Sequence, residues 1–352
     1  MSGGVDSAVA AALLAERGFD VIGVTMKMYS PTRPAHAKSC CGAEDFDDAR
    51  RAANALGIPH YVLDFEEVFR RSVIRRFASD YGRGRTPNPC VTCNNDVKLG
   101  ALRRFAERMG ARYVATGHYA RLSHEADGAH LFAGDPLKDQ SYALAQATPA
   151  QLDALLLPLG DLTKEETRAH AVRLGLAVAE KAESQDICFV EGGDYREVLA
   201  REGAATGRPG DVVTSSGARV GAHRGLAHFT VGQRRELPAT TFNDGPRYVT
   251  RLDAETNTIV IGREEELYAG GLVADEANVL RPERFADGPL EAFAMTRYRA
   301  PLNRARAQFD RASGELRLEF RTPERAVAPG QLVALYDQRG EVLAGATIRE
   351  AR

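Results

Sequence analysis

The chain has 352 residues, of which 44% are hydrophobic and 27% charged, and its formal net charge at pH 7 is −2. This length allows two or three domains with a sizeable core, and the balanced charge excludes a surface that is basic throughout, as in general nucleic-acid binders. No apolar run approaches the ~18–20 residues of a membrane span and no segment resembles a signal peptide, so we expect a cytoplasmic protein with no membrane partner.

The chain begins with a glycine loop followed directly by a helix. The loop, SGGVDS, covers residues 2–7, and the helical run continues over residues 8–17. Adjacent glycines let backbone N–H groups approach an anion closely, and a helix that starts at Ser7 would add its positive end. The loop therefore predicts a phosphate site, although a plain turn before a helix is the other interpretation. It is not of the Walker type, because no G-x-x-x-x-G-K-[ST] pattern occurs.

Helices and strands then alternate as far as residue 190. The predicted strands are 20–26, 60–63 and 113–116, and the predicted helices are 44–56, 65–81, 96–109, 151–156 and 164–174. This alternation predicts an α/β fold with a doubly wound parallel sheet, which binds ligands at the carboxyl ends of its strands.

From about Gly207 the sequence changes to short alternating runs separated by Gly, Pro and Asn. The predicted strands are 211–213, 229–231, 248–252, 258–261, 292–298, 305–309, 316–320, 332–336 and 342–348. Runs of this length and spacing predict a small β-rich central domain followed by a compact β-barrel.

The five cysteines are too few and too clustered for a secreted disulfide scaffold, so they indicate catalytic or metal-binding thiols. They are Cys40, Cys41, Cys90, Cys93 and Cys188. The C-x-x-C at Cys90 and Cys93 can be a redox pair, half of a metal site, or a catalytic thiol with a bystander. No second C-x-x-C supports a four-cysteine zinc site, but Cys90, Cys93 and Cys188 are enough for an iron–sulfur cluster with one open iron.

Several polar segments have both a structural and a functional interpretation. Gly117 and His118 follow a strand and so lie at the ligand edge of the sheet, where a lone histidine is also commonly structural. Lys138 begins a polar KDQSY segment that either caps a helix or binds phosphate and sugar. The arginines between 297 and 306 form either an exposed strand edge or a contact to RNA phosphates.

Only six of the 46 basic residues are lysines, and five of these lie in or beside motif-like segments: Lys27, Lys98, Lys138, Lys164 and Lys181.

Together these segments resemble the tRNA-specific 2-thiouridylase family, a branch of the PP-loop ATP pyrophosphatases. The matching segments occur in family order over nearly the whole chain: MSGGVDSA, VTMKMY, TPNPCVTCNNDVKLG, YVATGHYARL, KDQSYAL, PLGDLTKEETR, ESQDICFV, PGDVV, TVGQRR, TRYRAP and PGQLVALYD. SGGVDS alone marks only the wider PP-loop group. The combination of TPNPC-x-x-CN, GHYAR, KDQSY and ICF is far more specific.

The resemblance implies three domains: a PP-loop ATP-binding domain over 1–193, a small central β-rich domain over 194–268, and a C-terminal β-barrel over 269–352 that contacts tRNA. It implies that ATP and Mg²⁺ are used to adenylate the C2 oxygen of wobble uridine 34. Sulfur from a persulfide on a donor protein then replaces that oxygen, which gives 2-thiouridine, AMP and pyrophosphate. The alternatives are another PP-loop adenylating ligase and an inactive tRNA-binding protein.

The resemblance also implies roles for individual residues. Cys93 takes the nucleophile position and Cys188 the position of the persulfide-carrying cysteine, and the two form a disulfide during catalysis. The ATP-binding positions are Ser2, Gly3, Gly4, Val5, Asp6, Ser7, Met26 and Gly117. The positions at the target base or tRNA are Asn88, Pro89, Cys90, His118, Lys138, Asp139, Gln140, Arg297, Tyr298 and Gln331.

Two features depart from the family pattern. The apolar strand that leads into the glycine loop in the family has no counterpart before Met1, so we expect the parallel sheet to lack a central member and the coding sequence to start further upstream. Some members carry an acid where Cys90 stands, and the additional thiol leaves the iron–sulfur alternative open.

Overall fold

The structure, a computed structural model, describes residues 1–30, 42–181, 187–190, 193–203, 207–238, 242 and 245–352. Cys40, Cys41 and the start of the segment that leads to Cys188 lie outside these residues. The chain divides into two compact units. The first comprises Met1–Val73, Cys90–Asp194 and Gly340–Val342, and the second comprises Ile74–Pro89, Tyr195–Arg339 and Leu343–Arg352.

Most of the α-helices lie in the first unit, and α4 and α9 lie in the second. Among the described residues the α-helices are α1 Val5–Glu16, α2 Ala43–Ala55, α3 Glu66–Phe69, α4 Arg75–Gly82, α5 Pro89–Thr92, α6 Leu102–Arg108, α7 Pro149–Asp153, α8 Lys164–Arg173 and α9 Tyr195–Arg201. Two π-helical segments, Arg70–Ile74 and Cys93–Ala101, continue α3 into α4 and α5 into α6. No helix of the described residues is long and apolar enough to cross a membrane.

Parallel strand pairs form the framework of the first unit. Its strands are β1 Gly23–Lys27, β2 His60–Asp64, β3 Val114–Ala115, β4 Ala120–Glu125, β5 Gly128–Ala133 and β6 Leu155–Leu156. β1 pairs with β2 and β3 with β6, both in parallel, which confirms the α/β class. In the described residues these pairs are two separate two-stranded sheets, not one continuous doubly wound sheet.

Met1 lies against β1. Its amino group donates to the Val24 carbonyl oxygen, and its own carbonyl oxygen accepts a 2.6 Å hydrogen bond from Thr25 Oγ1. The residue just before the glycine loop is therefore fixed beside the strand.

Helix α1 is the centre of the first unit's core. Its sequence is apolar around most of its circumference, which is typical of a helix that is buried on all sides. It packs against α8, and the surrounding cluster includes Val5, Val9, Leu13, Tyr119, Leu159 and Ala171. The start of α1, and with it the glycine loop, is consequently held by the core.

The second unit contains a four-stranded sheet and a closed barrel. The remaining strands are β7 Gly210–Thr214, β8 Arg219–His223, β9 Tyr248–Asp253, β10 Thr258–Gly262, β11 Tyr268–Val279, β12 Leu290–Met295, β13 Asn303–Asp310, β14 Glu315–Arg325, β15 Leu332–Tyr336 and β16 Val342–Ala351. The sheet has the order β8-β7-β10-β9, and the barrel has the order β11-β14-β13-β12-β15-β16. Ala305 and Ala307 on β13 face the barrel core while Arg304 and Arg306 are exposed, the alternation expected of a small barrel.

Several predicted elements were wrong in detail. The run predicted as a helix over 151–156 ends as a helix at Asp153 and continues as β6, because a short apolar run does not distinguish a buried helix from a buried strand. Residues 229–231 form no strand, and Phe229 instead fills the core of the four-stranded sheet after a 3₁₀ turn. The hairpin of β4 and β5 and the strands β8 and β11 were not predicted.

Candidate active site

The glycine loop closes on itself through two serines. Ser2 N donates to Ser7 Oγ over 3.0 Å, and Ser7 Oγ lies 3.1 Å from the Gly4 carbonyl oxygen, to which it donates. Gly4 is the N-cap and α1 begins at Val5, so the prediction that Ser7 starts the helix was wrong. Gly3 has φ +70°, and a Cβ there would overlap the Asp45 carbonyl oxygen at the start of α2. Only glycine fits this position.

Gly117 packs against the same loop. A Cβ at Gly117 would lie 2.8 Å from the carbonyl carbon of Asp6 and 3.0 Å from the backbone nitrogen of Ser7. The backbone of the segment after β3 therefore contacts the backbone of the first turn of α1. Met26, near the end of β1, is partly exposed. The predicted nucleotide residues in the loop and Gly117 are thus brought together.

His118 is the partly buried side chain that follows Gly117. Its Nδ1 lies 2.8 Å from Thr116 Oγ1. Desolvation of the ring, with a smaller effect from the Lys98 cation, lowers the pKa of His118 to about 3. Lys98 Nζ donates to Asn94 Oδ1 over 2.9 Å. The ring is therefore neutral at pH 7 and can accept or donate a hydrogen bond without carrying charge.

Cys93 lies inside a helix that begins earlier than the predicted 96–109. Pro89 starts α5, where its missing N–H leaves no hydrogen bond unmade, and Cys93 is the first residue of the π-helical segment. π-Helical turns are frequent at functional sites. The Cys93 thiol is buried 3.9 Å from Met28 Sδ, just beyond the end of β1, whereas Cys90 is exposed. The C-x-x-C therefore presents one buried and one exposed thiol.

Helix α3 links the two predicted catalytic cysteines. The π-helical segment Cys93–Ala101 packs against α3. Phe69 at the end of α3 meets Phe189 edge to face, with ring centroids 5.6 Å apart. Phe189 is buried and directly follows Cys188, which is partly buried. Two segments 95 residues apart in sequence thus contact one short helix, and both carry thiols rather than a disulfide.

Among the described residues the cysteines do not form a site for a single metal ion. One group there brings three ligand atoms within 4.8 Å of one another, namely Glu125, Asp127 and His130 at the hairpin of β4 and β5. Three thiolates are the minimum ligand set for an iron–sulfur cluster with one open iron. Thiolates that ligate different irons of a cluster lie further apart than the ligands of a single ion, so the iron–sulfur alternative stays a prediction.

The KDQ segment supports the loop that contains His118. Asp139 Oδ1 accepts hydrogen bonds from the backbone N–H groups of Gly134 and Ser141, and Gln140 Oε1 accepts one from Tyr119 N over 3.0 Å. Asp139 and Gln140 therefore have structural partners within the protein. Lys138 is partly exposed.

In the second unit, Gln331 holds the segment that precedes Cys90. Gln331 Nε2 donates to the Thr86 carbonyl oxygen over 2.7 Å, and Thr86 N donates to the Pro329 carbonyl oxygen over 2.8 Å. Asn88 follows two residues later and is partly exposed. The predicted tRNA position Gln331 thus has an internal partner, and it stabilises the approach to the target-base positions.

Exposed arginines and a tyrosine follow β12 in the barrel. Arg297 and Tyr298 are both exposed, and Arg297 donates to the Arg325 carbonyl oxygen over 3.1 Å. Arg304 and Arg306 are exposed on the neighbouring strand β13. The hydrogen bond to the backbone orients the guanidinium group of Arg297.

Sequence reasoning missed two lysine–aspartate contacts near the glycine loop. Lys164 Nζ donates to Asp6 Oδ1, and Lys181 Nζ donates to Asp45 Oδ1, each over 2.6 Å. The sequence did contain a signal for these contacts. Lysine is scarce in this arginine-rich chain, and both lysines lie in or beside motif-like segments.

Three domain profiles match the chain in order. They are the tRNA methyl transferase HUP domain over residues 1–192, the tRNA methyl transferase PRC-barrel domain over 196–263 and the aminomethyltransferase beta-barrel domain over 270–348. The first profile alone covers more than half of the chain.

Curated relatives match almost the whole length. The tRNA-specific 2-thiouridylase MnmA of Methylobacterium sp. (strain 4-46) is 46% identical over 358 residues, which cover 99% of this chain and 93% of the relative. The MnmA of Acetivibrio thermocellus is 42% identical over 355 residues, with 99% and 97% covered. Among solved structures, the U34-tRNA thiolase NcsA from Methanococcus maripaludis with its 4Fe-4S cluster is similar with a TM-score of 0.34 and 17% identity, covering 57% of this chain and 61% of that one.

Proposed function

The chain belongs to the tRNA-specific 2-thiouridylase family, and from this membership we propose how its residues carry out the reaction. It is a PP-loop enzyme that thiolates uridine in tRNA at C2. We assign the target to wobble uridine 34. We divide the chain into an ATP-binding domain over 1–193, a central domain over 194–268 and a tRNA-contacting barrel over 269–352.

ATP activates the uracil oxygen in the first step. The C2 carbonyl oxygen is a poor leaving group, and its attack on the α-phosphorus of ATP forms a C2–O–AMP bond and releases pyrophosphate. Backbone N–H groups of residues 2–7 and the start of α1 hold the phosphates, with Met26 and Gly117 along the adenosine. Mg²⁺ bound with ATP supplies charge neutralisation for the triphosphate. The Ser2 and Ser7 hydroxyls already form hydrogen bonds within the loop, so the ATP phosphates and water would supply the oxygen ligands of Mg²⁺.

Sulfur reaches C2 through the two cysteines. A donor protein transfers sulfur to Cys188 as a persulfide, whose terminal sulfur attacks C2 and expels AMP. The Cys93 thiolate then attacks the Cys188 sulfur, so that the S–S bond to the base breaks, 2-thiouridine leaves and a Cys93–Cys188 disulfide forms. Alternatively, Cys93 attacks the persulfide first and releases hydrogen sulfide, which attacks C2. Both routes end with the same disulfide, and a dithiol reductant must return it to two thiols.

One observation carries this proposal. The Cys93 thiol lies 3.9 Å from Met28, at the carboxyl end of the strand that contains Met26. Ligands of parallel α/β sheets bind at that edge. A buried thiol at the nucleotide edge of the sheet supports sulfur chemistry on an adenylated base. It does not favour the alternative of a PP-loop ligase that uses no thiol.

The remaining assignments concern tRNA and location. We place three residues at the border of the target base: Asn88, Pro89 and Cys90. The tRNA contacts of the first domain come from Lys138, Asp139, Gln140 and His118. The Asp139 and Gln140 side chains contribute by positioning the loop. Arg297, Tyr298 and Gln331 contribute from the barrel. Both routes use the two thiols alone and need no iron–sulfur cluster. We assign the enzyme to the cytoplasm, where its tRNA substrate occurs.

Single cysteine substitutions test the proposal. We expect Cys93→Ser and Cys188→Ser each to abolish 2-thiouridine formation with ATP, the persulfide donor protein and tRNA, while tRNA affinity stays within twofold of wild type. Cys90→Ser is the matched control and should retain thiolation, because neither route forms a bond to the Cys90 sulfur. Thiolation that survives both Cys93→Ser and Cys188→Ser would refute the thiol mechanism, and ATP–pyrophosphate exchange on a small carboxylic acid would identify a ligase instead.

A further inference from the structure

Lys164 is a buried lysine at the start of α8 that the mechanism above does not use. Only 9% of its side chain is exposed. Thr163 caps the helix through a capping box with Glu166, so Lys164 is the first helical residue and its position is fixed by the backbone. A lysine is almost never buried in this way without a charged partner.

The partner is Asp6 in the glycine loop. Lys164 Nζ donates to Asp6 Oδ1 over 2.6 Å, and the Tyr119 hydroxyl donates to the same oxygen over 2.7 Å. Lys164 Nζ also lies 5.7 Å from the centroid of the Tyr119 ring, within the range of a cation–π contact. Two hydrogen-bond donors, the Lys164 ammonium group and the Tyr119 hydroxyl group, thus fix the position of Asp6 Oδ1.

The location of this carboxylate makes its charge important. Asp6 is in the first turn of α1, and its side chain is 33% exposed. A carboxylate at this point would repel the triphosphate that the same turn attracts. A lysine in contact with the carboxylate offsets that repulsion, and salt screens a partly buried pair less than an exposed one.

We propose that Lys164 is a positioning residue for the nucleotide site: it neutralises Asp6 and, together with Tyr119, holds the first turn of α1 in the form that binds the ATP phosphates. This inference rests on the proposed ATP role of the loop. This role differs from a packing role because it acts through a single charge at the start of α8.

The opposite ends of the same two helices provide a matched control. Arg173, the last residue of α8, forms an exposed ion pair with Glu16, the last residue of α1, over 2.7 Å. Both ion pairs join α1 to α8. Only the Lys164 pair lies at the loop, so a variant at Arg173 reports on helix packing without touching the site.

The experiment measures the affinity for ATP by calorimetry in the full-length protein. We expect Lys164→Met to weaken ATP binding at least tenfold and to raise the KM for ATP with a much smaller change in kcat. Lys164→Arg keeps the charge and should recover most of the affinity. Arg173→Met should stay within twofold of wild type, and tRNA affinity should be unchanged in all variants.

The outcomes separate this inference from the proposed function. Wild-type protein that binds no ATP would overturn the proposed function itself. Wild-type binding with an unchanged affinity in Lys164→Met, or an equal loss in Arg173→Met, would overturn the role of Lys164 alone. If Lys164→Met fails to fold, Tyr119→Phe removes one of the two hydrogen bonds to Asp6 and keeps the charge. It should weaken ATP binding two- to fivefold, and an unchanged affinity there would also overturn the inference.

Discussion

Replacing Gly117 with alanine should displace the nucleotide loop, because the added methyl group has no room beside it. The methyl carbon would lie 2.8 Å from the Asp6 carbonyl carbon and 3.0 Å from the Ser7 backbone nitrogen. Both contacts are to backbone, so no side chain can rotate away. The segment that contains Gly117 and the first turn of α1 must therefore move apart.

The size of the effect follows from these distances. Carbon atoms in contact lie about 3.5–4.0 Å apart, so the backbones must separate by roughly 0.5–1 Å. Overpacking of this kind costs about 1–3 kcal/mol. If binding ATP requires the original spacing, the same free energy opposes binding and lowers the affinity for ATP by about 5–150-fold.

Calorimetric titration with ATP and urea denaturation measure the two consequences separately. Gly82→Ala is the control, since a Cβ at Gly82 meets no atom within 4 Å, and we expect it to leave ATP affinity unchanged. The reasoning is refuted if Gly117→Ala binds ATP within twofold of wild type and unfolds at the same urea concentration.

Three further predictions concern pH, tRNA and the segment before Cys90. The pKa of His118 is lowered from 6.5 to about 3, so only the unfolded state takes up this proton as the pH falls below 6.5, and stability should decrease from there towards pH 3. His118→Gln should reduce that slope in urea midpoints measured across pH 4–7; an unchanged slope would contradict the assignment. Arg297→Glu should weaken tRNA binding about tenfold and reduce the salt dependence by about one unit of slope, in filter-binding titrations, since one phosphate contact is lost. Binding equal to wild type, or an equal effect from Arg219→Glu on the exposed strand β8, would argue against a barrel contact. Gln331→Leu removes the hydrogen bond to Thr86 and should raise the KM for tRNA several-fold with less effect on the KM for ATP, measured in the thiolation assay. An equal rise in both KM values would indicate general destabilisation instead.

The parts of the site that lie within short segments were predictable from sequence. The glycine loop, the C-x-x-C and the Gly117–His118 segment after a strand each carry their signal within ten residues. The α/β and β-rich regions were also predictable, because their hydrophobic periods differ.

Contacts over long sequence separations were not predictable. Lys164 and Asp6 are 158 residues apart, and nothing local to either residue indicates the pair. The start of α5 at Pro89 was missed because a proline-rich loop suggests an extended chain, although proline fits the first turn of a helix. The switch from α7 to β6 was missed because tertiary pairing with β3 decides between helix and strand there.

The difference in exposure between Cys90 and Cys93 has a practical consequence for chemical labelling. The two thiols are one helical turn apart, yet Cys90 is open to reagents and Cys93 is buried. A maleimide or haloacetamide should therefore modify Cys90 first, and loss of activity after alkylation need not report on the buried thiol. The same contrast makes Cys90 an attachment point for a photocrosslinker or a fluorophore beside the proposed base pocket, with Cys90→Ser as the reference that measures labelling at the other cysteines.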